Sequence, residues 1–215
     1  MQNPDENNAH TILQNIRVKN LGKLIIGNLN INSIPNKFGA LKLIVDNNID
    51  ILVITETKID ISFPKTQFNI DGYREPFRAD RHIDGGGILM YVRSDIPCKE
   101  LTKHNKPDDI EGIFVELNLR KTKWLLCATY HPPTNKQGDD YYLNFLENAT
   151  DFYSSFYDKF LYIGDFNMEE TEPGLNSFLH QYDAKSLVKE KTCFKSIENP
   201  SCIDLFITNQ GNSFQ

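Results

Sequence analysis

From Leu24 onward the chain alternates short apolar runs with longer stretches whose apolar residues recur every three or four positions. "LIIGNLNI" predicts a strand, "KFGALKLIVDN" a helix and "IDILVITET" a second strand. The helix rests on Phe38, Leu41, Ile44 and Val45, which share one face at that spacing. "FNIDGYREPFRADRHIDGGG" is broken by Gly, Pro and charge and predicts an irregular loop, followed by "ILMYVRS" as strand. "IFVELNL" and "KWLLCATY" predict a hairpin through a basic turn at Arg120 to Lys123. "DYYLNFLENATDFYSSFY" carries Tyr142, Phe145, Leu146 and Ala149 on one helical stripe. "KFLYIGDFN" as strand, a short helix near "PGLNSFLHQY" and "SCIDLFITN" as strand complete the series. Residues 1–22 are polar and Asn-rich and predict a weakly ordered lead-in, with one domain over 23–215. The pattern is α/β, with sheets packed face to face and helices outside.

Several strands end in polar residues that a buried core would not choose. "LIIGNLNIN" delivers Asn30 and Asn32, "ILVITET" delivers Glu56, "KWLLCATYH" delivers Tyr130, and "FLYIGDFN" delivers Asp165 and Asn167. In an extended chain alternate side chains share a face, so Asp165 and Asn167 would point one way while Phe166 points into the core. The other reading of "GDFN" is a turn, since Gly, Asp and Asn are all common there for backbone reasons. Strand ends in α/β folds hand side chains to a crevice, which is where catalytic groups gather.

Composition narrows the setting. The 215 residues, 40% hydrophobic, are enough for a well-buried core, and a net charge of -6 argues against nucleic-acid binding by a blanket of positive charge. A metal-dependent phosphate enzyme remains compatible with that balance, because bound cations restore local attraction for phosphate. Cys98, Cys127, Cys193 and Cys202 form no CxxC pair and read as free thiols rather than a zinc site. The start lacks the character of a secretory signal, and no apolar run approaches the roughly 18 residues of a membrane span, so the expectation is an intracellular protein with no membrane partner. The Asn148-Ala149-Thr150 sequon then reads as chance. His10, His82, His104, His131 and His180 are expected in loops or at helix edges and receive no catalytic role.

Taken in order, "LNINSI", "ITETK", "GGGILMYVR", "ATYHPP", "IGDFN", "KTCF" and "SCIDLFITN" resemble the endonuclease/exonuclease/phosphatase superfamily, most closely the apurinic-type endonuclease domain of non-LTR retrotransposons. The resemblance runs from about Leu24 to the last residue. It implies a four-layer α/β sandwich of two mainly antiparallel sheets and Mg²⁺-assisted hydrolysis of a DNA phosphodiester that leaves a 3′-hydroxyl, with Mn²⁺ as an alternative ion. Glu56 would be the main metal ligand, with Asn30 and Asn32 beside it. Many relatives carry Asp at the second of these positions, so Asn32 removes a charge. Asp165 would handle a proton of the water or leaving group, Asn167 and Tyr130 would donate to the phosphate, and Asp204 would orient a catalytic His. Thr192 and Ser201 would contact DNA. The partners implied are DNA and a reverse transcriptase encoded downstream, with a nuclear location when acting on DNA.

Two further expectations concern the margins of this resemblance. Arg74, Arg78, Arg81 and His82 cluster in "YREPFRADRH", where Arg78 and Arg81 would meet a DNA backbone or else pair with Asp71, Glu75, Asp80 and Asp84. The superfamily's Ser-Asp-His strand would follow "CIDLFITN", which stands at the end of this sequence, so the expectation is an incomplete domain of weak activity with an exposed sheet edge. The rival readings are another phosphodiesterase or phosphatase of the superfamily and a non-catalytic remnant that keeps the fold.

Overall fold

In the computed structural model, which describes residues 4–102, 106–133, 138–196 and 198–214, the apolar runs become the strands of two mixed sheets. His104 lies outside the described residues. The chain divides into two compact units, Met1–Ile96 and Pro97–Gln215, each with its own sheet.

The first unit opens with α1 (Pro4–Lys19), so the polar lead-in, expected to be weakly ordered, is helical and places His10 within a helix rather than at an edge. Its anchor is Arg17, which donates to the Asp50 carboxylate at 2.7 Å and to the Asn48 carbonyl at 3.0 Å. Asp50 is buried and also takes Arg93 at 2.9 Å and the Ile25 N–H at 2.6 Å, so its charge is fully met by partners. The sheet runs β1 (Ile26–Asn30), β2 (Ile51–Thr55), β4 (Ile88–Val92), β3 (Phe77–Ala79). β1 and β2 are parallel, joined through α2 (Phe38–Val45), which packs Leu41 and Val45 into a cluster with Leu52, Ile54, Leu89 and Tyr91. The other pairings are antiparallel.

The second unit repeats this logic on a longer sheet. Its order is β5 (Cys98–Glu100), β6 (Glu111–Leu119), β7 (Thr122–Tyr130), β8 (Phe160–Asp165), β10 (Asp204–Thr208), β9 (Lys185–Ser186). The β6–β7 hairpin turns on Arg120 and Lys121, whose φ angles of 47° and 68° are the left-handed pair of a tight hairpin turn. β7 and β8 are parallel and need a crossover, which α3 (Asp139–Ser154) supplies. Tyr142, Phe145, Leu146 and Ala149 of α3 are buried together with Phe178 of α4 (Pro173–Gln181) and with Cys127, Tyr162 and Leu205 of the sheet. Beyond β8 lies β10, held between β8 and the two-residue β9. No helix among the described residues is long and apolar enough to cross a membrane.

Candidate active site

In the first unit the polar cluster grows from the carboxyl ends of the parallel pair. Asn30 stands beside Thr55 in register, and beyond them the two chains stay bonded as they leave the sheet. Ile31 N–H donates to Thr55 O at 3.1 Å, Ser33 N–H to Glu56 O at 2.8 Å and Ile34 N–H to Thr57 O at 3.0 Å. A third strap comes from the glycines before β4, where Thr57 N–H reaches Gly87 O at 3.2 Å and Lys58 N–H reaches Gly86 O at 2.9 Å. Gly87, at φ 89°, allows this approach because a Cβ there would run into the Thr57 hydroxyl.

These straps hold Glu56 at φ 56° and Asn32 at φ 45°. Asn tolerates the left-handed region, whereas for a residue such as Glu it costs about 1–2 kcal/mol. Buried Ile54 and Ile59 flank Glu56 and fix the segment at both ends. Asn30 Oδ1 accepts the Asn32 N–H at 3.2 Å, and Lys58 Nζ donates to Asn32 Oδ1 at 2.6 Å while lying 3.8 Å from Glu56 Oε2. Asn32 and Glu56 are therefore brought together around a lysine that sequence reasoning passed over, with Asn30 bonded to Asn32. The "ETK" spacing in "ITETK" was its signal.

In the second unit three adjacent strands end level with one another. Tyr130 of β7 is the register partner of Asp165 in β8, and Asp165 is the partner of Asp204 in β10. Directly paired residues share a sheet face, so a phenol and two carboxylates form one row. Tyr130 and Asp165 are each 3% exposed. Gly164 permits the row, because a Cβ at that position would collide with the Thr129 carbonyl across the parallel pair.

Both readings of "GDFN" are realised at once. The strand ends at Asp165, and the next residues turn: Asn167 has φ 46° and its N–H bonds Asp165 Oδ1 at 3.1 Å, an Asx turn. The expected strand alternation from Asp165 to Asn167 is thus replaced by a turn, which brings the Asn167 backbone N–H to the carboxylate. Phe166 does pack inward, fully buried with its ring 6.1 Å from that of Tyr142. Asn167 Nδ2 donates to His131 O at 2.7 Å.

His131 follows Tyr130 and turns away from it, as alternation required. It is 2% exposed, its ring stacks on Tyr142 at 4.4 Å and its Nδ1 meets Phe166 O at 3.0 Å. Burial lowers its pKa, against the pull of the Phe166 carbonyl, Asp139 and Glu172.

Thr192 and Ser201 sit on a small antiparallel bridge before β10, where Thr192 N–H and Cys193 N–H both donate to Ser201 O at 2.9 Å. The Thr192 hydroxyl accepts the Ile203 and Asp204 N–H groups at 3.2 and 3.1 Å, so Thr192 secures the entry to β10 beside Asp204. Glu169, which no pattern singled out, ties the same region together by accepting Cys202 N–H at 2.9 Å and Lys191 Nζ at 2.8 Å. The lysine holds its carboxyl below the usual range.

The arginine cluster divides. Arg78 has partners within the protein, as one of the two expectations for it had it: its fork meets both Asp80 oxygens at 3.1 and 2.7 Å and the carbonyls of Asp60, Phe63 and Pro64 at 3.2 to 3.3 Å. Arg74 likewise donates to the carbonyls of Ser94 and Ile96. Arg81 is exposed.

Among the described residues no three His, Cys, Asp or Glu side chains form a cluster able to hold a metal. What the first unit assembles is instead one carboxylate and one amide side chain about an ammonium, with a second amide, Asn30, bonded to the Asn32 N–H. No family model and no curated protein matches the sequence. Solved structures do match. The endonuclease domain of TRAS1, a telomere-specific non-LTR retrotransposon, is 16% identical with a TM-score of 0.61, over 87% of this chain and 84% of that one. An AP endonuclease from Archaeoglobus fulgidus is 16% identical with a TM-score of 0.59, over 89% and 88%. A mannosyl-6-phosphatase from Bacteroides thetaiotaomicron is 12% identical with a TM-score of 0.64, over 87% and 86%. With two mixed sheets and four α-helices among the described residues, the chain has the α/β fold of endonuclease/exonuclease/phosphatase superfamily structures.

Proposed function

We propose that the chain is a metal-dependent phosphodiesterase acting on DNA, which nicks one strand to leave a 3′-hydroxyl. The observation that carries this reading is the row Tyr130, Asp165, Asp204 at the ends of three neighbouring strands. Like charges directly opposite on adjacent strands oppose folding, so a fold that places two carboxylates there has a use for them. Phosphoryl transfer is such a use, because it needs a proton acceptor for the attacking water and donors for the phosphoryl oxygens.

Within that row Asp165 would take the proton, held in place by the Asn167 N–H on its Oδ1. Tyr130 would donate its phenol to a phosphoryl oxygen. Asn167 has two amide protons; one is engaged by His131 O, and the other suits the same phosphate. Asp204 would orient a proton-carrying group beside Asp165.

The oxygens of Glu56, Asn30 and Asn32 fit a hard divalent cation, since Mg²⁺ takes one or two carboxylates with neutral oxygens and water. The structural support is that Glu56 and Asn32 already gather about the Lys58 ammonium, with Asn30 bonded to the Asn32 N–H. An ion held there would supply charge neutralisation to a phosphate ester bound at it. With Asn at position 32 the site carries one protein charge fewer than an Asp would give.

In a retroelement setting the 3′-hydroxyl would prime a reverse transcriptase, which makes that enzyme the partner expected. The second reading, a phosphomonoesterase, is favoured by the likeness to the mannosyl-6-phosphatase structure. The test is to incubate the purified chain with supercoiled plasmid, and separately with p-nitrophenyl phosphate, with and without Mg²⁺. Nicks that a DNA polymerase extends, absent from Asp165→Ala, support the endonuclease. Release of p-nitrophenol without nicking supports the phosphatase, and inactivity in both assays refutes catalysis by this chain.

A further inference from the structure

We infer that His131 is the positioning residue of this site, a role that rests on the reading of Asp165 and Asn167 as the reacting pair. One residue bonds three in succession: His131 N–H donates to Asp165 O at 2.9 Å, Nδ1 meets Phe166 O at 3.0 Å, and His131 O accepts Asn167 Nδ2 at 2.7 Å. The first and last of these use backbone atoms that any residue at 131 supplies, but their placement depends on what fixes this peptide. The middle one needs a side-chain donor at that point and determines which ring atom carries the proton. Because a carbonyl only accepts, Nδ1 holds the hydrogen and the neutral ring presents Nε2 toward Asp139, 3.6 Å away.

The clasp matters because Asn167 is out of the sheet. The β8–β10 ladder ends at Asp165, and the backbone bond just beyond it, Phe166 N–H to Ile203 O at 2.8 Å, stops one residue short of Asn167, whose φ of 46° is not a conformation that β8 imposes. The amide of Asn167 is placed by its bond to the His131 carbonyl, and the peptide bearing that carbonyl is placed by the ring. The ring in turn is wedged by stacking on fully buried Tyr142, whose hydroxyl is bonded to Thr129 at 2.8 Å. A chain of contacts thus runs from the α3 core to the amide that faces the phosphate. An aliphatic residue at 131 would fill the space and leave the Phe166 carbonyl buried without its donor.

The test compares wild type with His131→Leu, which keeps bulk and removes the donor, and His131→Asn, whose amide can reach the same carbonyl. In an active protein, kcat per folded molecule should fall at least tenfold in His131→Leu with KM within twofold of wild type, and His131→Asn should recover most of it. A merely structural histidine would lower the melting temperature of His131→Leu without changing kcat of the folded fraction, and that result overturns the inference. If wild type cleaves nothing, the functional reading falls by itself and the positioning is judged from the Asn167 side-chain amide. Its NMR resonances should be slowly exchanging in wild type and His131→Asn and averaged in folded His131→Leu; unchanged resonances in His131→Leu overturn the inference.

Discussion

Lys58 places its ammonium 2.6 Å from the side-chain oxygen of Asn32 and 3.8 Å from the Glu56 carboxylate, so a positive charge already organises the oxygens to which we assign Mg²⁺. An ion at this position would meet one carboxylate, and restoring a second should tighten its binding. Asn32→Asp is expected to lower the Mg²⁺ concentration for half-maximal thermal stabilisation about tenfold, which corresponds to about 1.4 kcal/mol. Glu56→Gln should abolish the Mg²⁺-dependent rise in melting temperature, since only binding to the folded state produces it. A rise that survives Glu56→Gln places the ion elsewhere.

The straps behind Glu56 and Asp165 depend on glycines for lack of space. Gly87→Ala would drive a methyl group into the Thr57 hydroxyl from a left-handed backbone, and Gly164→Ala would drive one into the Thr129 carbonyl. Each should destabilise the protein by about 1–3 kcal/mol, by overpacking at Gly164 and by overpacking with backbone strain at Gly87. Urea titration reads the difference. Gly85→Ala is the control, because a Cβ at Gly85 meets nothing.

Stability should fall on the acid side through His131. Burial holds its folded pKa below the ordinary 6.5, so the unfolded chain binds the proton more readily. The neutral ring's contribution is complete above about pH 6.5 and is lost as pH drops through that value toward the lower folded pKa. Asp139 and Glu172 face the ring and moderate the loss without reversing it. Urea midpoints measured from pH 8 to pH 5 should slope downward in wild type and less steeply in His131→Leu. Equal slopes would show that the ring does not titrate with unfolding.

The elements that sequence made legible are those with a period to read. α2 and α3 carry apolar residues at helical spacing, and β2, β4, β7 and β8 are runs long and apolar enough to stand out. The strands passed over, β3, β5 and β9, are two or three residues long and lie at sheet edges, where short strands limit unwanted pairing but leave no alternation to detect. α1 was hidden by polar composition, because its hold on the first unit includes the long-range bonds of Arg17 to Asp50 and Asn48, which no local pattern encodes. At the site, strand ends pointed to Asn30, Glu56, Tyr130 and Asp165. His131 escaped for the opposite reason: alternation correctly turned it away from Tyr130, and the loop that it supports lies 35 residues later in the chain.

Arg78 gives the sharpest separation between structural and DNA-binding arginines. Its side chain is 10% exposed, and its fork serves one carboxylate and three carbonyls from the segment 60–64. Removing it takes the guanidinium from the Asp80 carboxylate and the Phe63 carbonyl, while the Asp60 and Pro64 carbonyls keep the Phe63 and Gln67 N–H groups, so Arg78→Ala should cost about 1.5–3 kcal/mol, the range for hydrogen bonds to a charged group. Arg78→Lys should recover little of that, because an ammonium cannot reproduce a planar fork. DNA affinity of the folded fraction, and its dependence on salt, should stay at the wild-type value in both variants. Arg81→Glu, at an exposed position, should leave stability within about 0.5 kcal/mol and reduce the salt slope by about one counterion if Arg81 meets a phosphate. Fluorescence anisotropy on a labelled duplex at several salt concentrations, paired with urea titration, distinguishes the two roles. An Arg78→Ala protein of wild-type stability with a reduced salt slope would restore Arg78 as a DNA contact.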